Sequence, residues 1–335
     1  MTHQQLQTID ADTLLSTTLP PTRFIIDRLL PQGLHILAGA PKVGKSWLAL
    51  WLCLQVAQGT SVWDFPTHRG TVLYLCLEDS LTRIQSRLFQ ITDDAPEALH
   101  FATLAAGIGE GLEEQLTNFL TQHPDTSLVV IDTLQRIRTG SDSGNPYAND
   151  YRDISVLKAL ADKHHIAILL IHHLRKMNDD DPMNMISGTT GISGATDSNF
   201  VLKERRRGSG EATLYCTGRD IEYRELPLVF DKSSYTWRLT EPVEGEHISI
   251  DPEAISLSAF LRGLGSFEGT ELSTLLEAQT GEKLTPSVLS KRLVKYAEVL
   301  EQNGIRVVSE RTRTTRTLSI LCLPCDGSDG GDGKN

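Results

Sequence analysis

One short stretch of the sequence has the residue types and the spacing that bind phosphate. Its glycines allow backbone N–H groups to turn toward an anion, because glycine has no Cβ. At the end of the stretch, Lys45 can neutralise phosphate oxygens and Ser46 can hold Mg²⁺. The stretch therefore predicts a site for a nucleotide phosphate and Mg²⁺. Its eight residues follow the G-x-x-x-x-G-K-[ST] spacing of a P-loop: Gly39, Ala40, Pro41, Lys42, Val43, Gly44, Lys45 and Ser46.

Acidic residues at the ends of two apolar runs are candidates for metal binding and for catalysis. Asp132 follows four apolar residues, as in a Walker B segment, where a carboxylate accepts a hydrogen bond from Ser46 or from a water on Mg²⁺. Glu78 ends another apolar run, and a carboxylate there can orient and deprotonate the water that attacks a γ-phosphate. Asp79 competes with Glu78 for this role, and an ordinary surface acid is the simpler alternative.

Histidines and arginines occupy comparable positions later in the chain. His172 and His173 end an apolar run, and one of them could sense the γ-phosphate through a hydrogen bond. A structural role is the alternative, and joint metal ligation is not expected because adjacent strand residues point to opposite faces. Arg205, Arg206 and Arg207 form a basic cluster that could enter the phosphate site of a neighbouring subunit or could simply be solvated.

The elements that must position these residues alternate along the chain. Buried apolar runs, typical of strands covered on both faces, alternate with amphipathic segments that predict helices. The pattern predicts an α/β fold with a mostly parallel sheet. Ligands of such sheets bind at the carboxyl ends of the strands, where the P-loop, Glu78, Asp132 and the two histidines are predicted to lie. The predicted strands are 34–38, 71–77, 99–104, 127–132, 166–171, 199–203, 212–217, 226–231 and 235–239, and the predicted helices are 45–58, 81–90, 111–123 and 151–164.

Length and composition favour two domains. The chain has 335 residues, 39% of them hydrophobic, and a net charge of −11, so any contact with nucleic acid depends on local charge. The sequence has neither a signal pattern nor an apolar run of about 20 residues, so we expect a cytoplasmic protein that does not associate with membranes. The predicted parts are a flexible leader (1–22), a first domain (23–241), a linker (242–252), a second domain (253–322) and a disordered tail (323–335).

The second domain is predicted to be a winged helix-turn-helix. Helices 254–264, 271–278 and 286–303 precede a hairpin of strands 305–308 and 316–321. The module is locally basic and would suit duplex DNA, with docking of a protein as the alternative. Its basic residues are Lys291, Arg292, Lys295, Arg306, Arg311, Arg313 and Arg316.

Two polar loops, 139–150 and 176–192, follow strands at the same predicted edge. They could line a channel that grips single-stranded nucleic acid by its backbone. The acidic run 179–181 argues against this role for part of the second loop. The basic residues at the bases of the loops are Arg136, Arg138, Arg175 and Lys176.

The order of the motifs from Phe24 to Leu239 resembles that of the RepA-type hexameric helicases, which are RecA-like P-loop ATPases of the AAA_25 family. The segments that carry the resemblance are 37–47, 74–79, 130–134, 171–176, 186–188 and 218–220. It implies a RecA-like core that uses ATP and Mg²⁺. It also implies Glu78 as the catalytic glutamate, His173 as a sensor and Arg207 as an arginine finger, with Arg205 and Arg206 as competitors.

The function that this resemblance implies is an ATP-hydrolysing DNA motor, a replicative helicase of a plasmid, phage or integrated element. The expected partners are further copies of the chain, as a hexamer that shares its ATP sites, together with single-stranded DNA on the core loops. Duplex DNA on the C-terminal module and a replication protein are further expected partners. Two alternatives stay open: an ATP-switched DNA-binding initiator or regulator, and a RecA-like recombination or repair ATPase.

Overall fold

The computed structural model describes residues 8–138, 146–175, 179, 181–186, 190–240, 252–262, 264, 266–281, 283–311 and 316–322. It separates into two compact units, Thr22–Glu244 and Met1–Pro21 with Gly245–Asn335. The predicted tail (323–335) and all of the predicted linker except residue 252 lie outside the described residues. The predicted domain boundaries stay predictions.

The helices and strands are named in chain order. The helices are α1 (Ala11–Leu15), α2 (Lys45–Gln58), α3 (Leu81–Ile91), α4 (Leu112–Gln122), α5 (Leu134–Ile137), α6 (Pro146–His164), α7 (Thr190–Ala195), α8 (Pro252–Leu261), α9 (Gly269–Thr280), α10 (Pro286–Lys295) and α11 (Ala297–Gln302). The strands are β1 (Phe24–Ile26), β2 (Leu30–Pro31), β3 (Gly33–Gly39), β4 (Thr71–Cys76), β5 (Leu99–Ala102), β6 (Thr126–Asp132), β7 (Ala167–His173), β8 (Ser198–Glu204), β9 (Glu211–Gly218), β10 (Arg224–Asp231), β11 (Thr236–Leu239), β12 (Ser266–Glu268), β13 (Ile305–Arg311) and β14 (Arg316–Cys322). A 3-10 turn, Pro182–Met185, lies between β7 and α7.

The larger unit is built on a nine-stranded sheet with the order β11-β10-β9-β8-β3-β7-β6-β4-β5. The strands from β8 to β5 in this order run parallel, and β9, β10 and β11 extend the sheet as antiparallel neighbours. Every residue of β3, β4 and β6 is buried, as expected for central strands covered on both faces. The predicted α/β fold with a mostly parallel sheet is confirmed.

Helices cover the sheet on both faces. One apolar core contains the buried face of α2, including Leu48 and Leu52, together with residues of β4 and β9. The second core contains Leu116 of α4 and Leu157 of α6, and residues of β3, β6 and β7. This three-layer arrangement fixes the strand ends, because no strand can slide without disturbing two cores.

The strand register brings the candidate residues to one edge of the sheet. Gly39, at the end of β3, pairs with His173 of β7. Asp132, at the end of β6, pairs with Ile171 on one side and with Cys76 of β4 on the other. Since Glu78 follows Cys76 by two residues, the candidate P-loop, acids and histidines all lie at the carboxyl edge.

Helix α6 begins earlier than the sequence predicts. Residues 146–150, which we predicted as part of the loop 139–150, are helical, and the helix starts at Pro146. Proline suits the first turn of a helix because its fixed φ is already helical and no N–H is lost there. Asp150 and Asp153, in the early turns of this helix, accept hydrogen bonds from Arg138. Asp150, one of the polar residues that favoured a loop, therefore forms an ion pair with Arg138 from within the helix.

The smaller unit combines helices with an antiparallel sheet of order β12-β14-β13. The predicted helix 286–303 is interrupted at Tyr296, which separates α10 from α11. Tyr296 is buried and its hydroxyl donates to Glu253 at 2.7 Å, a tertiary contact that helical periodicity does not report. The assignment as a winged helix-turn-helix stays a prediction.

The predicted leader contains the short helix α1. Asp10 caps this helix by accepting a hydrogen bond from the backbone N–H of Thr13 at 2.9 Å. Within the smaller unit, Asp12 of α1 forms an ion pair of 2.6 Å with Lys291 of α10. The leader thus includes residues with defined local structure, and its flexibility stays a prediction.

Candidate functional site

The P-loop links β3 to α2 through backbone conformations that few residues adopt. Gly44 has φ +98°, and Lys42 has φ +68°, so the chain turns sharply before the helix begins at Lys45. A Cβ on Gly39 would lie 2.9 Å from the carbonyl oxygen of Leu202, so only glycine fits at this point. The turn directs the N-terminus of α2 toward the carboxyl edge, where its unpaired N–H groups favour an anion.

Lys45 is buried beside the loop that it follows. Its ammonium donates to the carbonyl oxygens of Gly39, at 2.8 Å, and of Ala40, at 3.0 Å. Burial lowers the pKa of Lys45 to about 8, and the carboxylates of Asp132 and Glu78 partly oppose this effect. A bound phosphate can replace the carbonyl oxygens as acceptor with little movement of the side chain, because the ammonium already lies at the loop.

Asp132 accepts two hydrogen bonds on one oxygen. The hydroxyl of Ser46 donates to Oδ2 at 2.7 Å, and the hydroxyl of Tyr74 donates to the same atom at 2.9 Å. Burial raises the pKa of Asp132, and the hydrogen bonds from Ser46 and Tyr74 oppose that shift. A serine hydroxyl and a carboxylate are hard oxygen donors of the kind that Mg²⁺ prefers.

The residues present therefore fit a magnesium nucleotide. The loop offers backbone N–H groups at a helix N-terminus, a buried ammonium and, 2.7 Å apart, the two oxygens of Ser46 and Asp132. Together these groups match the charges of a triphosphate and of a divalent cation.

Glu78 and Asp79 have different surroundings although they are adjacent. Glu78 accepts a hydrogen bond from the hydroxyl of Thr133 at 3.1 Å and lies 3.7 Å from the Nε of Arg136. Asp79 instead forms ion pairs with Arg83, at 2.6 Å, and with Arg87, at 2.5 Å. Glu78 is thus held beside Thr133, the residue after Asp132, whereas the two arginines hold Asp79 on the side of α3.

The two histidines at the end of β7 differ in burial. His172 is buried, and His173 is half-buried next to Gly39 in the sheet register. Within the described residues, Nδ1 of His173 has no hydrogen-bond partner although this atom is buried. His173 therefore lies beside the P-loop with a polar atom available, and its predicted sensor role stays a prediction.

The three arginines lie in the turn that joins β8 to β9. Leu202 of β8 pairs with Gly39, so this turn projects from the same edge of the sheet as the P-loop. Arg205 forms an ion pair of 3.6 Å with Glu211, and Arg206 and Arg207 are exposed. In the described part of the chain no hydrogen bond or ion pair joins the three arginines to the P-loop. Which of them is an arginine finger stays a prediction.

The residues at the bases of the polar loops are only partly available to a ligand. Arg138, which we predicted at a nucleic-acid channel, is instead tied to Asp150 and Asp153 at 2.5 and 3.1 Å. Arg136 has an exposed side chain, at 59%. Lys176 lies outside the described residues, as do residues 139–145, 177, 178, 180 and 187–189 of the predicted loops.

Sequence reasoning missed three residues of the site. Tyr74 lies two positions before the end of β4 and bonds to Asp132, and Thr133 follows Asp132 and bonds to Glu78. The indole N–H of Trp237 donates to the carbonyl oxygen of Gly44 at 3.3 Å. Polar residues at strand ends could have signalled Tyr74 and Thr133. No local signal could have indicated Trp237, because 193 positions separate it from Gly44.

The described residues contain neither a cluster of metal-ligating side chains nor a helix suited to a membrane. No group of three or more His, Cys, Asp or Glu side chains is arranged to hold a metal ion there. Among the described helices none is both long enough and apolar enough to cross a membrane.

Comparisons with known proteins agree with this fold. The AAA_25 family model, described as an AAA domain, matches residues 2–179. A solved structure of an ATPase domain from another protein is similar, with a TM-score of 0.52 and 15% identity over 63% of this chain and 85% of that chain. A DnaB-like replicative helicase, studied with its primase interactions, gives a TM-score of 0.52 and 15% identity over 66% of this chain and 62% of that chain. No curated protein matches the sequence. At this identity the two structures establish likeness of fold.

Proposed function

This chain belongs to the AAA_25 family of AAA domains, and from that premise we propose that it is an ATP-hydrolysing DNA motor of the replicative-helicase type. The observation that supports the proposal is that three features lie together at one edge of the sheet. These are the P-loop with Lys45, the Ser46–Asp132 pair, and Glu78 held by Thr133. The RepA-like context of a plasmid, phage or integrated element is part of the proposal and rests on the order of the sequence motifs.

The proposed mechanism assigns each residue a task. Residues 39–46 bind the triphosphate through backbone N–H groups, and Lys45 neutralises the β- and γ-phosphate oxygens. Glu78 accepts a proton from the water that attacks the γ-phosphate, which leaves ADP and inorganic phosphate as products. Thr133 donates a hydrogen bond to Glu78 and so orients its carboxylate toward the edge of the sheet.

Magnesium would be held by the hydroxyl of Ser46 and, directly or through water, by the carboxylate of Asp132. When bound, it neutralises charge on the phosphate oxygens. Asp132 keeps the hydroxyl of Ser46 oriented, and Tyr74 keeps the carboxylate of Asp132 in place from β4.

We further propose that the ATP site is completed by a second copy of the chain. Arg207, with Arg205 and Arg206 as alternatives, would enter the neighbouring site as an arginine finger, and His173 would sense the γ-phosphate. The exposure of Arg206 and Arg207 on a turn at the catalytic edge supports this arrangement. A ring of such subunits, a hexamer, would hold single-stranded DNA along the core loops that follow β6 and β7.

A duplex-DNA contact through the smaller unit is also proposed. Two of the basic side chains predicted for it already have acidic neighbours within the unit: Lys291 pairs with Asp12, and Arg306 with Glu301, both at 2.6 Å. DNA phosphates would have to replace these exposed carboxylates, an exchange that costs little because surface ion pairs contribute about 0–1 kcal/mol. A replication protein as partner is proposed by analogy, since the DnaB-like structure was studied with its primase interactions.

The test is ATP hydrolysis with and without single-stranded DNA. We expect a slow basal rate that rises severalfold when DNA is added. Lys45→Ala should abolish both rates because the phosphates lose their buried counter-charge, and this variant controls for contaminating ATPases. An equal rate with and without DNA, at protein concentrations that permit oligomers, contradicts a DNA motor.

A further inference from the structure

The end of the P-loop contacts a residue from the far edge of the sheet. Trp237, on β11, is buried, and its indole N–H donates to the carbonyl oxygen of Gly44 at 3.3 Å. A Cβ on Gly44 would lie 3.1 Å from the indole ring, so the ring fills the space that this glycine leaves open. Trp63 holds Trp237 in turn, because its indole N–H donates to the carbonyl oxygen of Trp237 at 2.7 Å. The P-loop backbone directly before Lys45 is thus fixed from outside the loop.

The first turn of α2 is held by the same part of the sheet. Trp47, directly after Ser46, stacks on Tyr235 with the ring centroids 5.1 Å apart and an angle of 29° between the planes. Phe230 of β10 meets Trp47 edge-on at 6.3 Å, and the guanidinium of Arg87 lies 5.4 Å from the centre of the Trp47 ring. The Trp47 side chain is therefore contacted by two aromatic rings and a cation.

The three aromatic residues that contact Gly44 or Trp47 belong to one hairpin. Phe230 packs edge-on against Tyr235 at 6.2 Å and against Trp237 at 5.2 Å, so the three rings form one aromatic unit. The turn of the hairpin is closed by Asp231, which accepts hydrogen bonds from Ser233 and pairs with an arginine of β11. Aromatic pairs of this geometry stabilise each other beyond the effect of the area that they bury.

We propose that this hairpin, β10–β11, is a clamp that positions the P-loop for nucleotide binding. The aromatic clamp consists of Phe230, Tyr235 and Trp237, and it holds the chain on both sides of the pair Lys45–Ser46. The clamp lies beyond residues 2–179, the part that the family model matches. The proposal deepens the proposed function, because it rests on the binding of ATP by the P-loop.

A clamp of this kind would keep the side chains of Lys45 and Ser46 in position. The ammonium of Lys45 and the hydroxyl of Ser46 act through distances that a small displacement would lengthen, and misplacement by about 1 Å can cost about 10²-fold in rate. Aromatic side chains are rigid because they have only two side-chain torsions. They can therefore hold a neighbouring group in place at a low cost in conformational entropy. The competing explanation for this aromatic cluster is that Trp47 or Tyr235 contacts the nucleobase directly. A ligand that has phosphates but no base distinguishes a base contact from a clamp on the P-loop.

The experiment measures binding of ATP and of inorganic tripolyphosphate to the full chain by calorimetry, in the presence of Mg²⁺. Trp237→Phe removes the N–H that reaches Gly44 and keeps a ring beside Phe230. We expect both ligands to bind about tenfold more weakly, the equivalent of one lost hydrogen bond. Tyr215→Phe is the control: Tyr215 packs against the second apolar core, whereas Phe230 and Trp237 belong to the first, so the affinities of this variant should match those of the wild type.

Each outcome decides the proposal. Equal losses for the two ligands support the clamp, whereas a loss for ATP alone overturns it in favour of a base contact. Unchanged affinities in Trp237→Phe also overturn it while leaving the ATPase proposal standing. A wild-type protein that binds neither ligand refutes both proposals. Should Trp237→Phe fail to fold by circular dichroism, Tyr235→Leu decides in its place, since Tyr235 is half-buried and its loss should weaken both ligands equally.

Discussion

The hydrogen bond between Tyr74 and Asp132 leads to a prediction that tests the metal side of the site. Tyr74→Phe removes only the hydroxyl, and the ring can keep its contact with Phe101, whose centroid is 6.1 Å away. Asp132 then retains the bond from Ser46 on Oδ2 and loses the one from β4. The substitution therefore changes the orientation of one carboxylate and leaves the packing of the core intact.

The magnitude follows from the surroundings of the bond. Asp132 is 6% exposed and Tyr74 is 3% exposed, so the substitution leaves a buried carboxylate oxygen with one hydrogen bond fewer. A hydrogen bond to a charged group contributes about 1.5–3 kcal/mol, so we expect the free energy of unfolding to fall by about 2 kcal/mol. Groups that orient a metal ligand typically contribute about 10–100-fold in metal affinity, so half-maximal nucleotide binding should require about tenfold more Mg²⁺.

The assay combines two measurements on the same protein. Urea unfolding gives the stability change, and binding of a fluorescent ADP analogue is titrated with Mg²⁺ at fixed nucleotide concentration. Tyr215→Phe is the control, because Tyr215 is a half-buried tyrosine on β9, two strands from β3 in the sheet. Its stability and its magnesium requirement should stay close to those of the wild type.

Two results would refute the reasoning about Tyr74. A stability loss with an unchanged magnesium requirement would mean that the hydroxyl is structural and does not orient Asp132 for metal binding. If Tyr215→Phe increased the magnesium requirement as much as Tyr74→Phe does, the effect would not be specific to the contact between Tyr74 and Asp132.

Three further predictions concern the other groups of the site and the core. Glu78→Gln should keep ATP binding and slow hydrolysis about 10²–10⁴-fold, as expected for loss of a general base, measured by phosphate release. Arg207→Ala should slow hydrolysis about 10³–10⁵-fold if it is the finger, and mixing it with Glu78→Gln protein should restore activity at interfaces that combine an intact P-loop site with an intact finger. Burial lowers the pKa of His35 to about 4. The unfolded ring binds its proton near the ordinary pKa of about 6.5, so stability is full above that pH and falls by about 3 kcal/mol as the pH drops from about 6.5 to about 4. Urea unfolding between pH 7 and pH 4 measures this loss, which His35→Gln should reduce.

Controls make these three predictions decisive. Asp79→Asn should retain hydrolysis, because Asp79 is paired with arginines; if it loses hydrolysis while Glu78→Gln keeps it, the base is Asp79. If the mixed Arg207→Ala and Glu78→Gln proteins are no more active than either alone, Arg207 is not a finger shared between subunits. An unchanged pH dependence in His35→Gln would assign the acid loss to other groups, and the exposed His68 serves as the histidine control.

Sequence patterns predicted an element most accurately where one short segment contains all the residues that define it. The helix from Lys45 to Gln58 was predicted with its observed bounds, because an apolar helical run begins directly after the glycine loop and ends at Gly59. Helix α6 and the break at Tyr296 were predicted less well. In both cases a tertiary contact, of Arg138 with α6 or of Tyr296 with Glu253, lies near the boundary, and local periodicity does not report such contacts.

By itself the sequence determined the α/β sheet, the P-loop and the acids at the ends of β4 and β6. These features depend on local chemistry: apolar runs that must be buried on both faces, and glycines that permit a turn around an anion. The tertiary structure alone decided that Tyr74 and Ser46 share one oxygen of Asp132, that Glu78 and not Asp79 faces Thr133, and that Trp237 supports Gly44. These contacts depend on strand register and side-chain packing between residues up to 193 positions apart, which no local pattern specifies.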